Sequence, residues 1–438
     1  MTVVGTFLAE STWNGINWPL VRTMSEGRMP LSGIKVADFS WFGAGPICAE
    51  NLATFGAKVV RVESEAHLDG LRLVAPFPPG KTGYNVSGYF NNYNAGKLDL
   101  TLNLNTELGL AMARKLIGWC DIFLTNHTPR MIEKWNLGYD EVSKINPNVI
   151  AAYQPMQGLE GPHKYFMGFG AVLTPITGYT FLSGFPHRPP MGIGTNYPDY
   201  VVNPGHTLVA ILAALRYRKK TGKGQRVELA QIESSVAPLG VAVMDYNANG
   251  RIESRAGNRL PHAVPHGAFR CEDGTWQDKP EDRWIALGVF DDARWRGLAD
   301  AMGSPAWALD GRYASHSGRK EHEDALEASL TGWTRERTAE DVMQLLQSKG
   351  VPAGVVQNAR DMLDGDEHLR ARGYYVYLDH PETGRAAYDG PPFRLSKTPG
   401  ELRTPAPLLG QHNEQVCKEI LGMTDEEIAE ALIAQALY

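Results

Sequence analysis

The feature that most constrains the fold is an alternation of short apolar runs with helix-length stretches, which begins near residue 31. A β-rich run, Ile34–Phe39, precedes a turn rich in glycine, alanine and proline. A helix-length stretch, Ile47–Phe55, and a second β-rich run, Lys58–Glu63, follow it. A strand, a helix and a strand within so short a span predict two parallel strands joined by a right-handed crossover.

The same alternation continues further along the chain. Thr106 is a favourable N-cap for a helix that runs to Trp119. The segments Asp121–Asn126 and Asn148–Tyr153 have the apolar character of buried strands. Repeated strands and helices of this kind predict a Rossmann-like α/β domain.

A long helix is predicted after residue 203. Asn203 and Pro204 form a start signal, a cap followed by a first-turn proline, and Gly222 supplies a C-terminal stop. The segment Gln225–Ile232 returns to a strand or to a further helix. From about Ala237 the pattern changes to turn-rich and charge-patterned segments, which indicates a smaller second domain. We therefore expect an extension at 1–30, a large domain at 31–235, a small domain at 236–355 and a return to the large domain at 356–438.

Composition narrows the possible partners and the compartment. The formal net charge of -6 gives no electrostatic reason to expect nucleic acid or an anionic membrane as a partner. The first 30 residues lack the apolar core of a signal peptide, and no apolar run is long enough to cross a membrane. The four cysteines are scattered, without metal-ligand spacing, as is typical of reduced thiols. We expect a cytoplasmic protein without a metal site.

Common motifs do not reveal the chemistry. The chain has no phosphate-binding P-loop and no GxGxxG fingerprint after a strand. The run Thr221–Gly224 follows a helix, so its glycine is better explained as a C-cap. Pro265 separates His262 from His266, which argues against one helix presenting both to a metal. These observations alone support no more than an α/β enzyme of unassigned chemistry.

Several segments, taken in order, resemble the family III CoA-transferases, which include formyl-CoA transferase, crotonobetainyl-CoA:carnitine CoA-transferase and the α-methylacyl-CoA racemases. The likeness covers nearly all of residues 31–437, and its order and spacing are more specific than any single piece. The matching segments are Leu31–Phe39, Ala44–Pro46, Leu52–Glu63, Asn94–Asn103, Asn126–Pro129, Tyr197–Asp199, Leu212–Arg216, Lys220–Val227, Gly350–Ala353 and Leu409–His412.

The resemblance implies an inserted small α+β domain, an interlocked homodimer, and CoA transfer between carboxylic acids through an aspartate. It implies no tightly bound cofactor, since CoA and acyl-CoA are substrates. The family's nucleophile precedes the long helix, where Asp199 stands, and would form a mixed anhydride and then an aspartyl-CoA thioester. The spacing from Asp199 to Leu212 is one residue longer than expected. A loop insertion is therefore predicted between them.

The resemblance also suggests residues that contact CoA. Backbone N–H groups of Phe42, Gly43 and Ala44 would surround the pantetheine and could stabilise an oxyanion. The other predicted contacts lie at the nucleotide end, with Lys134 preferred over Arg61 as the phosphate partner. These nucleotide-end residues are Arg61, Leu102, Asn126, His127 and Lys134.

Two alternatives remain open at the level of sequence. An acyl-CoA racemase or isomerase would need a His–Asp pair where Gly168, Phe169 and Gly170 stand, which counts against it. A non-catalytic CoA-binding subunit of a heteromeric transferase would fit the unusual spacing near Asp199. An abundance of aromatic residues at the expected pocket, including Tyr200, suits a bulky or aryl acid better than oxalate. The sequence does not identify the donor or acceptor acid.

Overall fold

A six-stranded parallel sheet forms the centre of the structure, a computed structural model that describes residues 29–438. Its spatial order is β3-β2-β1-β4-β5-β6. Because the order reverses between β1 and β4, a crevice is expected there at the carboxyl ends of the strands. The predicted Rossmann-like sheet is confirmed. The strands are β1 (Lys35–Asp38), β2 (Lys58–Glu63), β3 (Leu98–Thr101), β4 (Ile122–Thr125), β5 (Ile150–Tyr153) and β6 (Gln225–Glu228).

Ten α-helices accompany this part of the described chain. The expected helix after Thr106 is present, and the Thr106 hydroxyl accepts a hydrogen bond from the Gly109 amide at 3.1 Å. Gly222 ends the long helix in a left-handed conformation, as predicted. The helices are α1 (Ala44–Thr54), α2 (Gly88–Asn92), α3 (Glu107–Trp119), α4 (Pro129–Trp135), α5 (Tyr139–Ile145), α6 (Gly170–Ile176), α7 (Tyr179–Leu182), α8 (Asn203–Thr221), α9 (Gln231–Val236) and α10 (Gly240–Asn249).

Consecutive strand residues supply two hydrophobic layers, one on each face of the sheet. Val36 and Ile122 pack with α1 and α8, whereas their neighbours Ala37 and Phe123 pack with α3 and α5. Successive side chains of a strand point to opposite faces, so a strand covered on both sides reads as a continuous apolar run. This explains the nearly continuous apolar character of β4 and β5.

A second hydrophobic core lies in the segment that follows. Its three-stranded antiparallel sheet has the order β11-β10-β7, and Ile285 and Leu326 are fully buried in the adjacent core. A break near Arg335 separates two of its helices, Glu323–Thr334 and Ala339–Ser348. The elements are β7 (His266–Arg270), β8 (Gly274–Trp276), β9 (Lys279–Glu281), β10 (Trp284–Gly288), α11 (Asp292–Ala301), α12 (His316–Glu321), α13 (Glu323–Thr334), α14 (Ala339–Ser348) and β11 (Ala353–Val355).

The C-terminal part of the chain returns to the large sheet. Val416 and Ala431 are fully buried in the same core as Ala37 of β1. The Tyr438 carbonyl accepts a hydrogen bond from the Glu65 amide at 3.0 Å. The elements here are α15 (Glu367–Arg372), β12 (Tyr375–His380), β13 (Gly384–Asp389), the short α16 (Asn413–Gln415) and α17 (Asp425–Ile433).

Two sequence expectations concern the limits of these regions. The division into 31–235, 236–355 and 356–438 stays a prediction, although the separate cores are compatible with it. Nearly all of the proposed extension at 1–30 lies outside the described residues. Within residues 29–438, none of the helices combines the length and apolar character needed to cross a bilayer.

Candidate functional site

Asp199 lies in a single π-helical turn, Pro198–Val202, that leads directly into α8. A π turn accommodates one more residue than an α-helical turn, and such turns are frequent at functional sites. The predicted loop insertion between Asp199 and Leu212 is therefore wrong, because helical structure takes up the additional residue without a loop. Asn203 is not an N-cap either, because the preceding residue, Val202, already has helical backbone angles.

The Asp199 carboxylate is almost completely buried, with 6% of the residue exposed. One oxygen, Oδ2, accepts a hydrogen bond from the Gly170 amide at 2.8 Å. The other, Oδ1, is 3.5 Å from the Asn203 amide nitrogen Nδ2. Burial raises the pKa of the carboxyl to about 6, although both hydrogen bonds act in the opposite direction. The group is thus a weakly solvated carboxylate at neutral pH.

A buried set of amides and hydroxyls fixes the orientation of Asn203. Its Oδ1 accepts a hydrogen bond from the Ser234 hydroxyl at 2.5 Å, so its NH₂ group faces Asp199. The same NH₂ group is 3.3 Å from the Gln231 side-chain oxygen. Gln231 in turn donates to the Gln154 carbonyl at 2.7 Å. These bonds settle which end of each amide faces which partner, and they direct an N–H toward Oδ1.

Glycine residues allow the backbone to approach Asp199 closely. A Cβ atom at position 170 would lie 2.4 Å from the Asp199 Oδ2, a distance that no real side chain tolerates. A Cβ at Gly43 would lie 3.2 Å from the Asp199 Cβ. Gly170 is part of the segment in which a racemase would carry its proton-transfer pair. In the structure, the Gly170 amide instead donates a hydrogen bond to the Asp199 carboxylate.

The loop between β1 and α1 brings a helix N-terminus to this site. Phe42 has a positive φ of 56°, and its ring stacks on Phe169 with centroids 5.7 Å apart. The Phe42 amide donates to the Asp69 carboxylate, so it is not available as an oxyanion donor. In the described part of the chain, the Gly43 and Ala44 amides donate to no group. Such unpaired amides at a helix start favour a negatively charged ligand.

Two predicted CoA contacts, Leu102 and His127, line one cleft at the carboxyl ends of the central strands. Its empty volume is ≈ 380 Å³. Burial, together with the nearby charge of Arg61, lowers the pKa of His127 to about 4, so the ring is neutral at pH 7. We call this space the first cleft. It is lined by Phe39, Trp41, Val62, Glu63, Ser64, His67, Leu102, Asn103, Leu104, Asn105, His127 and Trp135.

Lys134 and Asn126 lie at the edges of the first cleft. The exposed Lys134 ammonium donates to the Asn105 side chain at 2.6 Å, and Asn105 lines the cleft. Asn126 forms two hydrogen bonds with the backbone of Trp41, at 2.8 and 2.6 Å. Asn126 therefore fixes the loop that forms one wall of the cleft.

Arg61 does not have the position that the sequence suggested. Its side chain is completely buried, pairs with Asp69 and donates to the Asn94 side chain at 3.1 Å. A phosphate contact for Arg61 is therefore contradicted, because its guanidinium faces carboxylates inside the protein. Arg61 forms an ion pair with Asp69, and the Asp69 carboxylate accepts a hydrogen bond from the Phe42 amide.

Sequence reasoning did not identify Gly170, Asn203 or Gln231 as parts of the site. Gly170 was noted only for the absence of a racemase pair, and Asn203 only as a presumed cap. An amide residue four positions after the candidate nucleophile was the one available signal. It could not be interpreted without the π turn, which decides that this amide faces the carboxylate.

Comparison with known proteins identifies the family of this chain. The family model of CoA-transferase family III matches residues 31–413. The succinyl-CoA–D-citramalate CoA-transferase of Chloroflexus aurantiacus is 33% identical over 91% of this chain and 96% of its own length. A formyl-CoA:oxalate CoA-transferase of Rhodopseudomonas palustris is 28% identical over 91% and 95%. A solved CAIB/BAIF family protein from Brucella suis superimposes with a TM-score of 0.81, at 28% identity, over 90% of this chain and all of that one. The chain belongs to CoA-transferase family III.

Proposed function

We propose that this enzyme moves CoA from an acyl-CoA to an acceptor acid through the side chain of Asp199. The observation that carries this assignment is the burial of Asp199 against the Gly170 amide, with a pKa raised to about 6. A carboxylate that is charged at neutral pH but poorly solvated is more basic than an ordinary one, and is therefore a better nucleophile.

The reaction proceeds by four substitutions that need no net proton transfer. The Asp199 Oδ1 attacks the donor thioester carbon, and the C–S bond breaks to give a mixed anhydride and CoA thiolate. The thiolate attacks Asp199 Cγ, which releases the donor acid and leaves an aspartyl-CoA thioester. The acceptor carboxylate then attacks Cγ, and thiolate leaves. Finally the thiolate attacks the acceptor's acyl carbon, which forms the product thioester and restores Asp199.

The two oxygens of Asp199 have different roles in this scheme. Oδ2 stays bound to the Gly170 amide and becomes the carbonyl oxygen of the anhydride and thioester. The same amide then stabilises negative charge when Cγ is attacked. Oδ1, with its weaker contact at 3.5 Å to Asn203, is the attacking atom. The Gly43 and Ala44 amides, which donate to no group in the described chain, would stabilise negative charge on the acyl carbonyl.

The nucleotide end of CoA is assigned to the first cleft. Leu102 and the neutral ring of His127 provide apolar and aromatic surface for the adenine. Lys134, at the rim beside Asn105, supplies a positive charge for a phosphate. The loop that begins at Trp41 leads from this cleft to Asp199, so pantetheine would follow it. CoA would be bound here as a substrate, without a tightly held cofactor.

The acids used by relatives give the first set of substrates to test. The two relatives above are named for succinyl-CoA with D-citramalate and for formyl-CoA with oxalate. Succinyl-CoA and formyl-CoA are therefore sensible donors for an initial assay. The four buried, unpaired cysteines are compatible with the proposed cytoplasmic location.

The proposed assembly is a homodimer. The helix α10 has no buried residue among its ten, although it contains Val241, Val243 and Met244. Val241 and Met244 are 77% and 59% exposed. An apolar helix without a buried face is expected to be covered in the functional assembly. A second copy of the chain is the covering partner that we propose.

Trapping of the covalent intermediate tests the mechanism. The protein is incubated with a panel of acyl-CoAs, treated with hydroxylamine or borohydride, and analysed by peptide mass spectrometry. A modification is expected on the peptide that contains Asp199, and it should be absent from Asp199→Asn. The exposed Asp379→Asn is the matched control and should keep it.

A second pair of variants tests the geometry around the nucleophile. Gly170→Ala should reduce turnover about 10²-fold, because its Cβ displaces the carboxylate. Gly205→Ala, in a helix with open space around it, should retain activity. CoA binding without any adduct or exchange would exclude this mechanism and favour a non-catalytic subunit.

A further inference from the structure

A second cleft opens next to the turn that carries Asp199. Its empty volume is ≈ 1140 Å³, which is large enough for a substantial organic acid. Asn196 and Tyr200 both line it, and the Asn196 carbonyl accepts a hydrogen bond from the Asp199 amide at 2.9 Å. Ala171, which directly follows the carboxylate-binding Gly170, lines it as well. The cleft therefore adjoins the turn that carries Asp199, and it shares no lining residue with the first cleft.

Aromatic rings form part of its wall. Tyr89 and Tyr200 line the cleft, with ring centroids 6.1 Å apart in an edge-to-face arrangement. Tyr93 stacks on Tyr200 at 5.5 Å and contacts Tyr89 at 5.6 Å. The three rings support one another, so Tyr200 is held in a fixed position beside Asp199. A rigid aromatic surface of this kind favours a flat, apolar ligand group.

The decisive feature of the second cleft is the absence of formally charged side chains among its described lining residues. Among its lining residues, all within the described chain, none is Lys, Arg, His, Asp or Glu. Its polar side chains are hydroxyls and an amide, and the Thr174 hydroxyl already donates to the Gly170 carbonyl at 2.6 Å. Arg255, on a neighbouring segment, donates to the Phe181 carbonyl at 3.0 Å and lies over that ring. A second carboxylate placed in the cleft would therefore meet no cation among these lining residues and would gain no ion pair there.

We propose that the second cleft binds the acyl group and that the enzyme's preferred acid is a monocarboxylic acid with an uncharged aromatic tail. The carboxyl end would reach Asp199 beside Asn196, and the aromatic tail would lie against Tyr200 and Tyr89. This inference rests on the proposed role of Asp199. It separates this chain from relatives named for oxalate and citramalate, whose acids carry a further carboxylate.

Competition between acceptor acids tests the proposal. The full-length enzyme is given succinyl-CoA, formyl-CoA or benzoyl-CoA as donor, and new CoA esters are quantified by mass spectrometry. The acceptors are benzoate, phenylacetate and cinnamate on one side and succinate, glutarate, oxalate and malate on the other. With the best donor, kcat/KM for the best aromatic acid should exceed that for every dicarboxylate by at least about tenfold.

A charge-insertion variant adds an internal check. Thr195→Arg places a cation at an exposed position of the cleft, so it should shift the ratio of aromatic acid to dicarboxylate at least about tenfold toward the dicarboxylate. The matched control is Leu309→Arg, at a position that is 66% exposed in a different region, and its ratio should equal that of the wild type.

The outcomes separate the two proposals. Equal or better use of dicarboxylates by the wild-type enzyme, with an adduct on Asp199, would overturn the assignment of the acid and leave the mechanism intact. An unchanged ratio in Thr195→Arg would also contradict the placement of the tail. Absence of both exchange and adduct with every pair of substrates would refute the Asp199 mechanism and this inference with it.

Discussion

At the level of single residues, the site depends on an aspartate that is difficult to ionise. Asp199 has lost most of its water, and its compensation consists of one backbone amide at 2.8 Å and one side-chain amide at 3.5 Å. No ion pair in the described chain involves Asp199. The pKa is raised to about 6 because hydrogen bonds alone replace hydration only in part.

This pKa predicts how activity depends on pH. The proposed nucleophile acts as a carboxylate, so kcat/KM should rise with pH, with a midpoint near 6, and level off above about pH 7. A pH series with one acyl-CoA donor and a fixed acceptor measures it. A midpoint near the ordinary pKa of an aspartate, about 4, would contradict the conclusion that the Asp199 carboxylate is buried in the free enzyme.

The buried Asp199 carboxylate should also lower the free energy of unfolding at neutral pH. The folded protein holds the proton up to about pH 6, whereas the unfolded chain releases it near 3.8. Stability is therefore lost as pH rises through this window, by about 1–3 kcal/mol. Asp199→Asn keeps an acceptor for Gly170 and removes the charge, so its Tm should exceed that of the wild type at pH 7.5, with little difference at pH 4. Asp379→Asn, which is exposed, should show no such crossover.

At the level of elements, the π turn Pro198–Val202 determines where the aspartate points. Each residue in an α-helix rotates the chain by about 100°. Removal of one residue from the turn would therefore rotate Asp199, together with the preceding chain, relative to α8. Val201 is 53% exposed, so its loss removes little core packing.

Deletion of Val201 is expected to abolish the adduct on Asp199 while the protein stays folded. Peptide mass spectrometry after incubation with acyl-CoA detects the adduct, and circular dichroism reports helix content. Val201→Ala retains the turn and should keep the adduct. A fully active deletion variant would show that the extra residue has no role in aiming the carboxylate.

At the level of the whole molecule, the uncovered helix α10 predicts an obligate assembly. Sedimentation velocity at micromolar concentration should give a dimer. Val241→Glu combined with Met244→Glu places two charges in the proposed interface, so it should yield monomer or unfolded protein. Ile433→Glu, at an 83% exposed position on α17, is the matched control and should remain dimeric. A stable wild-type monomer would overturn the assembly.

Much of the large sheet follows from local patterns. Strands β1, β2, β4 and β5 were predicted within a few residues, and β4 and β5 have the nearly continuous apolar runs that are typical of strands buried on both faces. The strand β3 was not identified as a strand, because its four residues, Leu98–Thr101, contain only two apolar side chains and are too few to form a clear pattern. Asp199 and the loop at Gly43 were found through ordered resemblance, and the comparisons support the family on which that resemblance rested.

The sequence by itself determined the fold class, the family and the candidate nucleophile, because periodicity and motif order are properties of the chain that local sequence records. Only the tertiary structure decided what surrounds that nucleophile. Arg61 looked like a free cation in the sequence, yet folding places it among buried carboxylates. Asn203 looked like a cap, yet the π turn directs it toward Asp199. Burial and the direction of a side chain depend on residues distant in the chain, so no local pattern could have fixed them.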